Sequence, residues 1–403
     1  MSSPGSEPNF ENIYRRFPNE IFTLIVDGLT DNLPALRNTS LVCKDFAALA
    51  QPWIFRIIRL EAGQSRVPVE HLPLVRQLGP FLQNPKLVQF VERLHFSSYM
   101  QETDRNEDLA HILESMPSLI ALYICFPSSR HFQAIEISPL HGALKELYID
   151  MTDPLRPTDW ASFENMLASL TTLEVLAIHA LNTLSEGPRK VILPRTLKIA
   201  AFINTSSGFG RAVALGLESS YPSSLRTIFL KAHYYESHSE LWRGLDIDTQ
   251  IVLDGSPSGE KALQGFRATK LICSCIQSKK LARLLCHFVH KLPDPVREIV
   301  IDMDACGRDD TLQPDEIGRE QDWVELDSRL MKRHELGLLD RVCFRCTKHD
   351  WSAAFSFSLR SANNHRKVED RTILNRVESL LPRSTSLGYL EVDRDMVFFE
   401  PTM

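Results

Sequence analysis

At 403 residues, with 43% apolar and 24% charged residues, the chain is long enough for two or three structural units and too balanced to be fibrous or disordered. Its net charge of −6 sets the summed field against a polyphosphate, which excludes nucleic acid as the main partner. No apolar run approaches the roughly 18 residues of a membrane span, and eight Cys spread through the chain make no disulfide framework, so a reduced protein of cytoplasm or nucleus, with no membrane partner, is expected.

Residues 1–16 are polar, with scattered Pro, Gly and Ser, and lack the basic-then-apolar pattern of a secretory signal. They are expected to be disordered. Pro18 then suits the first position of a helix carrying Ile21, Phe22, Leu24, Ile25, Val26 and Leu29. At 100° per residue these positions sweep about 200°, wider than the roughly 100° stripe with which a surface helix faces one core. A second surface is needed to cover the excess.

A short segment through Leu36 follows, and Thr39 or Ser40 can cap a further helix carrying Leu41, Val42, Phe46, Leu49 and Ala50, with Pro52 as its stop. Three helices in about 40 residues form a marginal core alone, so packing on a partner or on the following domain is expected.

The string FPNEIFTLIVDGLTDNLPALRNTSLVCKDFAALAQPWIF resembles an F-box. Pro18, Glu20, Ile21, Ile25, Leu29, Leu36, Leu41, Val42, Cys43, Lys44, Trp53 and Phe55 fall at the motif's positions. Phe17 stands in place of the usual Leu and Phe46 in place of the usual Trp, both still large and apolar, and the continuation FRIIRL is typical of the basidiomycete fungal version. The resemblance covers residues 17–60 and implies a docking module for a Skp adaptor and, through it, a cullin ubiquitin ligase. The residues it assigns to the adaptor are Pro18, Ile21, Ile25, Leu29, Leu36, Leu41, Val42 and Phe46.

From residue 72 to 403, helix-like stretches alternate with short strands of the spacing apolar-x-x-apolar-x-apolar. The anchors run from Val91-Leu94-Phe96 and Leu119-Leu122-Ile124 to Leu339-Val342-Phe344 and Leu387-Leu390-Val392. The first five steps between middle anchors are 28, 25, 29, 24 and 28 residues, within the roughly 20 to 29 of leucine-rich repeats. Weaker strands near Ile251 to Leu253 and Leu271 to Cys273 fill the gap before Ile299, and insertions are expected near Arg308 to Gln321 and His349 to Val368. Several helix-like stretches end in Pro just before the next strand. The expected fold class is therefore α/β: a three-helix N-terminal module, then an irregular leucine-rich-repeat-like solenoid with parallel strands inside and helices outside. A doubly wound sheet is disfavoured because no Gly-rich turn follows the first strand.

Catalytic and metal readings find little support. Cys343, Cys346 and His349 form a C-x-x-C-x-x-H string, but strand alternation sends the two thiols to opposite faces. Asp302 and Asp304 share a side without a His or third carboxylate, the G-S-P-S-G turn at 255–259 has Pro where a nucleophile elbow needs Ser, and Ser207-Gly208-Phe209-Gly210 lacks the Lys and spacing of a phosphate loop. No enzyme activity and no cofactor is expected. Alternation places His95, Tyr123, Tyr148, Asp150, His179, Phe229, Lys231, Asp302, Arg345 and Asp393 on the inner face, where most of them are candidate contacts for a target protein. The implied role is substrate receptor of a Skp–cullin–F-box ligase, the alternative a repeat scaffold whose first helices only cap the solenoid.

Overall fold

The computed structural model describes residues 19–30, 32–61, 79–97, 106–125, 127–151, 157–179, 190–203, 205, 207–231, 241, 245, 249–254, 266–276, 281–304, 319–349, 372–393 and 397–399. Among the described residues three helices come first: α1 (Asn19–Asp27), α2 (Leu33–Ser40) and α3 (Lys44–Phe55). Asn32 starts α2 by accepting the Ala35 N–H at 3.1 Å, and Pro34 lies in its first turn. Phe22, Val26, Leu36, Phe46 and Ala50 close a small core of their own, edged by Leu29, Leu49, Trp53 and Ile54.

Two local expectations are corrected here. Thr39 and Ser40 end α2 and do not start α3, whose N-cap is Cys43, so Leu41 and Val42 lie in the connecting turn. Nor does Pro52 stop α3, which continues to Phe55 because Trp53 and Ile54 pack on the small core and hold the last turn helical.

Beyond Phe55 the chain alternates strand and helix. The strands are β1 (Ile57–Glu61), β2 (Arg93–Ser97), β3 (Ala121–Cys125), β4 (Glu146–Asp150), β5 (Val175–His179), β6 (Ile199–Ile203) and β7 (Thr227–Lys231). They continue as β8 (Gln250–Asp254), β9 (Lys270–Ile276), β10 (Glu298–Asp304), β11 (Arg341–His349), β12 (Leu390–Val392) and β13 (Val397–Phe399). Intervening helices are α4 (Pro85–Val88), α5 (Asn106–Ser115), α6 (Ser129–Ile137), α7 (Pro157–Ser169), α8 (Ser207–Ser219), α9 (Leu281–Lys291), α10 (Glu320–Glu335), α11 (Thr372–Leu380) and α12 (Pro382–Ser386).

Among the described residues all pairings are parallel, and β1 to β12 lie side by side in chain order in one 13-stranded sheet, with β13 on the far half of β11. Nine such motifs lie between Val91 and Val392, the middle and last anchors of each fall inside a strand, and both weaker segments are strands too. The first anchor of each motif but the last, such as Leu119, Leu144 and Leu173, sits two residues ahead of its strand and is buried, whereas Leu387 lies three residues ahead and is exposed.

The anchor face carries the main core, in which Leu94, Leu122, Leu147, Leu176 and Ile228 meet buried helix residues such as Ile112, Phe132, Phe163 and Phe209. Neighbouring strands lie about 4.8 Å apart while packed helices need about 8–10 Å, so a singly wound sheet with its helices on that face must curve with the strands on the shorter arc. The result is a mixed α/β architecture of leucine-rich-repeat-like form.

A carbonyl spine runs along the strand starts. Ile120 and Ala121 both donate to the Glu92 carbonyl at 2.9 and 3.0 Å, and Lys145 with Glu146 do the same to Ile120. Glu174 with Val175 repeat it on Lys145, and Lys198 with Ile199 on Glu174. Each turn is thus locked to the one before by two N–H groups on one acceptor, which also satisfies the backbone where the chain turns into the strand.

Segment 190–194 is pressed against α8. Val191 donates its N–H to the Ala212 carbonyl at 2.9 Å, and a Cβ on Gly216 would lie 1.7 Å from the Val191 oxygen, so only glycine fits at position 216.

Candidate protein-interaction surfaces

The small core of the first helices fixes which residues face out. Because Phe22 and Val26 point inward, the positions one step before them around the helix, Ile21 and Ile25, turn outward together with Leu24. They are 38%, 45% and 67% exposed, and Leu41 in the turn after α2 is 83% exposed. Val42 and Leu33 are exposed as well. Six large apolar side chains left in water on about 22 residues of chain form an unusual surface for a folded protein.

This divides the residues predicted to face an adaptor. Ile21, Ile25, Leu41 and Val42 are exposed and Leu29 is half-buried. Leu36 and Phe46 are corrected: both are interior, Leu36 with no exposed surface and Phe46 edge-on against Phe22. Their apolar character serves the module's own core, which a motif match cannot distinguish from a docking face. Pro18 lies outside the described residues. Leu24 and Leu33 had no place in the predicted set, although Leu24 falls at helical spacing from Ile21 and was legible as part of the same strip.

The second surface is the strand face opposite the helices. Register places His95, Tyr123, Tyr148, Ala177, Ala201 and Phe229 side by side on successive strands. His95 stacks on Tyr123 with centroids 4.0 Å apart, and Tyr123 on Tyr148 at 4.1 Å, both pairs within 3° of parallel. Ala121 leaves room for Arg93 to reach past β3 to Glu146, Nη1 to Oε2 3.5 Å, and the Tyr148 hydroxyl donates to the same Glu146 oxygen at 3.3 Å.

Burial dominates the chemistry of this row. It pushes the Tyr123 and Tyr148 hydroxyls above their ordinary range and, with the Arg59 and Arg93 charges adding to it, pulls His95 down to about 3, so His95 is neutral at physiological pH. Two residues further along the strands, in the next outward row, Asp150 accepts from His179, Oδ1 to Nδ1 2.9 Å, with the Cys125 thiol 4.0 Å from the other carboxylate oxygen.

The predicted target contacts therefore separate. All those with described side chains sit on the face opposite the helices, as alternation requires, but Tyr123, Tyr148, Phe229 and Asp150 are buried and offer almost no contact area. Stacked rings and close strand neighbours cover them, so a pattern read as contact surface is a second packed cluster with Val175, Ala177, Ile272 and Val300. His95, His179 and Arg345 keep part of their surface. The side chains of Lys231, Asp302, Cys346 and His349 lie outside the description, while Cys343 joins the packed cluster and burial pushes its thiol upward.

Among the described residues no group of three or more His, Cys, Asp or Glu side chains is placed to hold a metal ion, and no helix is long and apolar enough to cross a membrane. No family model matches this chain, and no curated protein matches it. Similar solved structures include the complex of Rad7 and Elc1 in yeast, at 15% identity and TM-score 0.34, covering 83% of this chain and 90% of that one. A second is the leucine-rich repeat-containing protein LegL7 from Legionella pneumophila, at 11% identity and TM-score 0.34, covering 85% of this chain and 91% of that one. Likeness at this level is distant, and the architecture stands on the strand ladder itself.

Proposed function

We propose that the chain is the substrate receptor of a Skp–cullin–F-box ubiquitin ligase, its first three helices docking the adaptor and its repeat sheet holding a target protein. The observation that carries this reading is the exposed strip of Ile21, Leu24 and Ile25 on a helix whose opposite side is already packed. A marginal three-helix unit that leaves such a strip in water gains stability by burying it against a partner, at about 25 cal/mol per Å² of apolar surface covered. The F-box resemblance of residues 17–60 names that partner as a Skp adaptor.

In this role the chain contributes no nucleophile or base. It brings a bound target's lysine to a ubiquitin-charged conjugating enzyme at high effective concentration. Of the inner-face residues, His95, His179 and Arg345 have surface to offer a target.

Co-expression with the adaptor tests the proposal. A 1:1 complex on gel filtration, lost in Ile25→Asp, supports the receptor. Absence of a complex with the wild-type chain favours a plain repeat scaffold, a reading that draws on the direct passage of α3 into β1 with only Arg56 between them.

A further inference from the structure

Two units joined by a flexible linker swing independently, and linkers able to do so are several residues long and rich in Gly, Ser or Pro. Here the junction is one residue, Arg56, between the end of α3 at Phe55 and the start of β1 at Ile57. Its carbonyl accepts the N–H groups of both Glu92 and Arg93, each at 3.0 Å. That is the two-donor pattern of the carbonyl spine, so Arg56 occupies the position that Glu92, Ile120 and Lys145 hold in later turns. The spine therefore begins at the junction itself, one residue past α3.

The Arg56 side chain bridges the same gap. Its Nε donates to Glu92 Oε2 at 2.7 Å on the repeat side, while the guanidinium lies 5.6 Å from the ring centre of Trp53 on α3. Phe55 adds a ring contact to Phe81 at 5.7 Å, in the helical turn at 79–82 ahead of β2. The ion pair is partly exposed and by itself weak. Its geometry matters more than its strength, because a planar guanidinium held from both sides fixes a direction as well as a distance.

We propose that Arg56 is the positioning residue that sets the direction of the first three helices relative to the repeat sheet, making the two units a single stiff arm. This deepens the receptor reading and takes its purpose from it: a stiff arm holds a bound target at a set place relative to whatever docks on α1. The mechanical claim can be tested without that purpose.

Spin labels attached by non-cysteine chemistry at exposed Arg37 on α2 and Glu114 on α5 report the distance between the units in the full chain by pulsed electron resonance. The wild type should give one narrow peak, Arg56→Glu should lose it, and adding Glu92→Arg should restore it, a rescue that a merely destabilising change would not show. Arg56→Met, which keeps the stem and removes the charge, covers the case in which Arg56→Glu fails to fold. A narrow peak in both single variants overturns the proposal, and so does broadening in Arg56→Glu that Glu92→Arg leaves in place. Adaptor capture by the wild-type chain is scored separately: its absence sinks the receptor reading and leaves the distance result standing.

Discussion

Phe22 on α1 meets Phe46 on α3 edge-on, ring centroids 4.8 Å apart and planes at 88°, and this contact decides which side of α1 faces water. The same pair separates stability from docking. Phe46→Ala removes a buried ring from a core of few residues and should cost about 3–5 kcal/mol, enough to unfold the three helices. Leu24→Asp changes an exposed side chain and should leave the melting curve within about 0.5 kcal/mol of wild type while abolishing adaptor capture. Thermal melts by circular dichroism alongside gel filtration with the adaptor check both outcomes.

Gly216 gives a sharp test of the repeat core. A methyl group there meets the Val191 carbonyl oxygen, which α8 cannot avoid without moving the whole segment 190–194. Although alanine is the better helix former, Gly216→Ala should destabilise by at least about 1–3 kcal/mol, the reverse of the usual sign. Urea denaturation measures it, and loss of exchange protection at the Val191 amide localises it.

Acid should weaken the fold through His131. Its Nδ1 accepts the Ser128 N–H at 2.9 Å at the start of α6, and burial pulls its pKa down to about 4. The unfolded histidine takes up a proton below about pH 6.5 while the folded one does not until about 4, so stability is full above 6.5 and falls as pH drops toward 4. The slope approaches about 1.4 kcal/mol per pH unit at its steepest. His131→Gln, a neutral acceptor suited to that capping position, should flatten the part of the slope that His131 contributes. Urea midpoints between pH 7 and pH 5 compare the two.

Asp327 pins the C-terminal end of the sheet. This buried carboxylate accepts the Arg383 and Ser384 N–H groups at 3.0 and 2.9 Å and the Ser384 hydroxyl at 2.5 Å, and Ser384 in turn accepts from Tyr389 at 2.7 Å. Asp327→Ala leaves three donors without an acceptor and should cost about 3 kcal/mol or more, concentrated at α12 and β12. Limited proteolysis should then cut after residue 380 before it cuts the N-terminal strands.

The sequence showed the solenoid because its signal is local and repeated: an apolar residue just ahead of the strand and two more within it recur in nine turns. It missed β1, since Ile57–Glu61 lies under the end of the F-box string and was read with it. It also placed a helix boundary wrongly at Pro52, where packing of Trp53 and Ile54 outweighs one lost hydrogen bond.

The candidate surfaces were legible only by face. Alternation assigns Tyr148 and Phe229 to the side away from the helices, and that is where they are. Whether a side chain on that face meets water depends on how its neighbours stack across strands, and those neighbours lie 20 or more residues away along the chain. The Tyr123–Tyr148 stack and the reach of Arg93 to Glu146 are long-range facts of this kind.

Strand order equal to chain order has a consequence for how the molecule is made. Every strand from β2 to β12 is laid beside one already synthesised, so an emerging chain can zip onto its own growing edge without waiting for distant residues. Assembly can therefore keep pace with the ribosome, and a chain cut short late in synthesis would still carry a finished beginning.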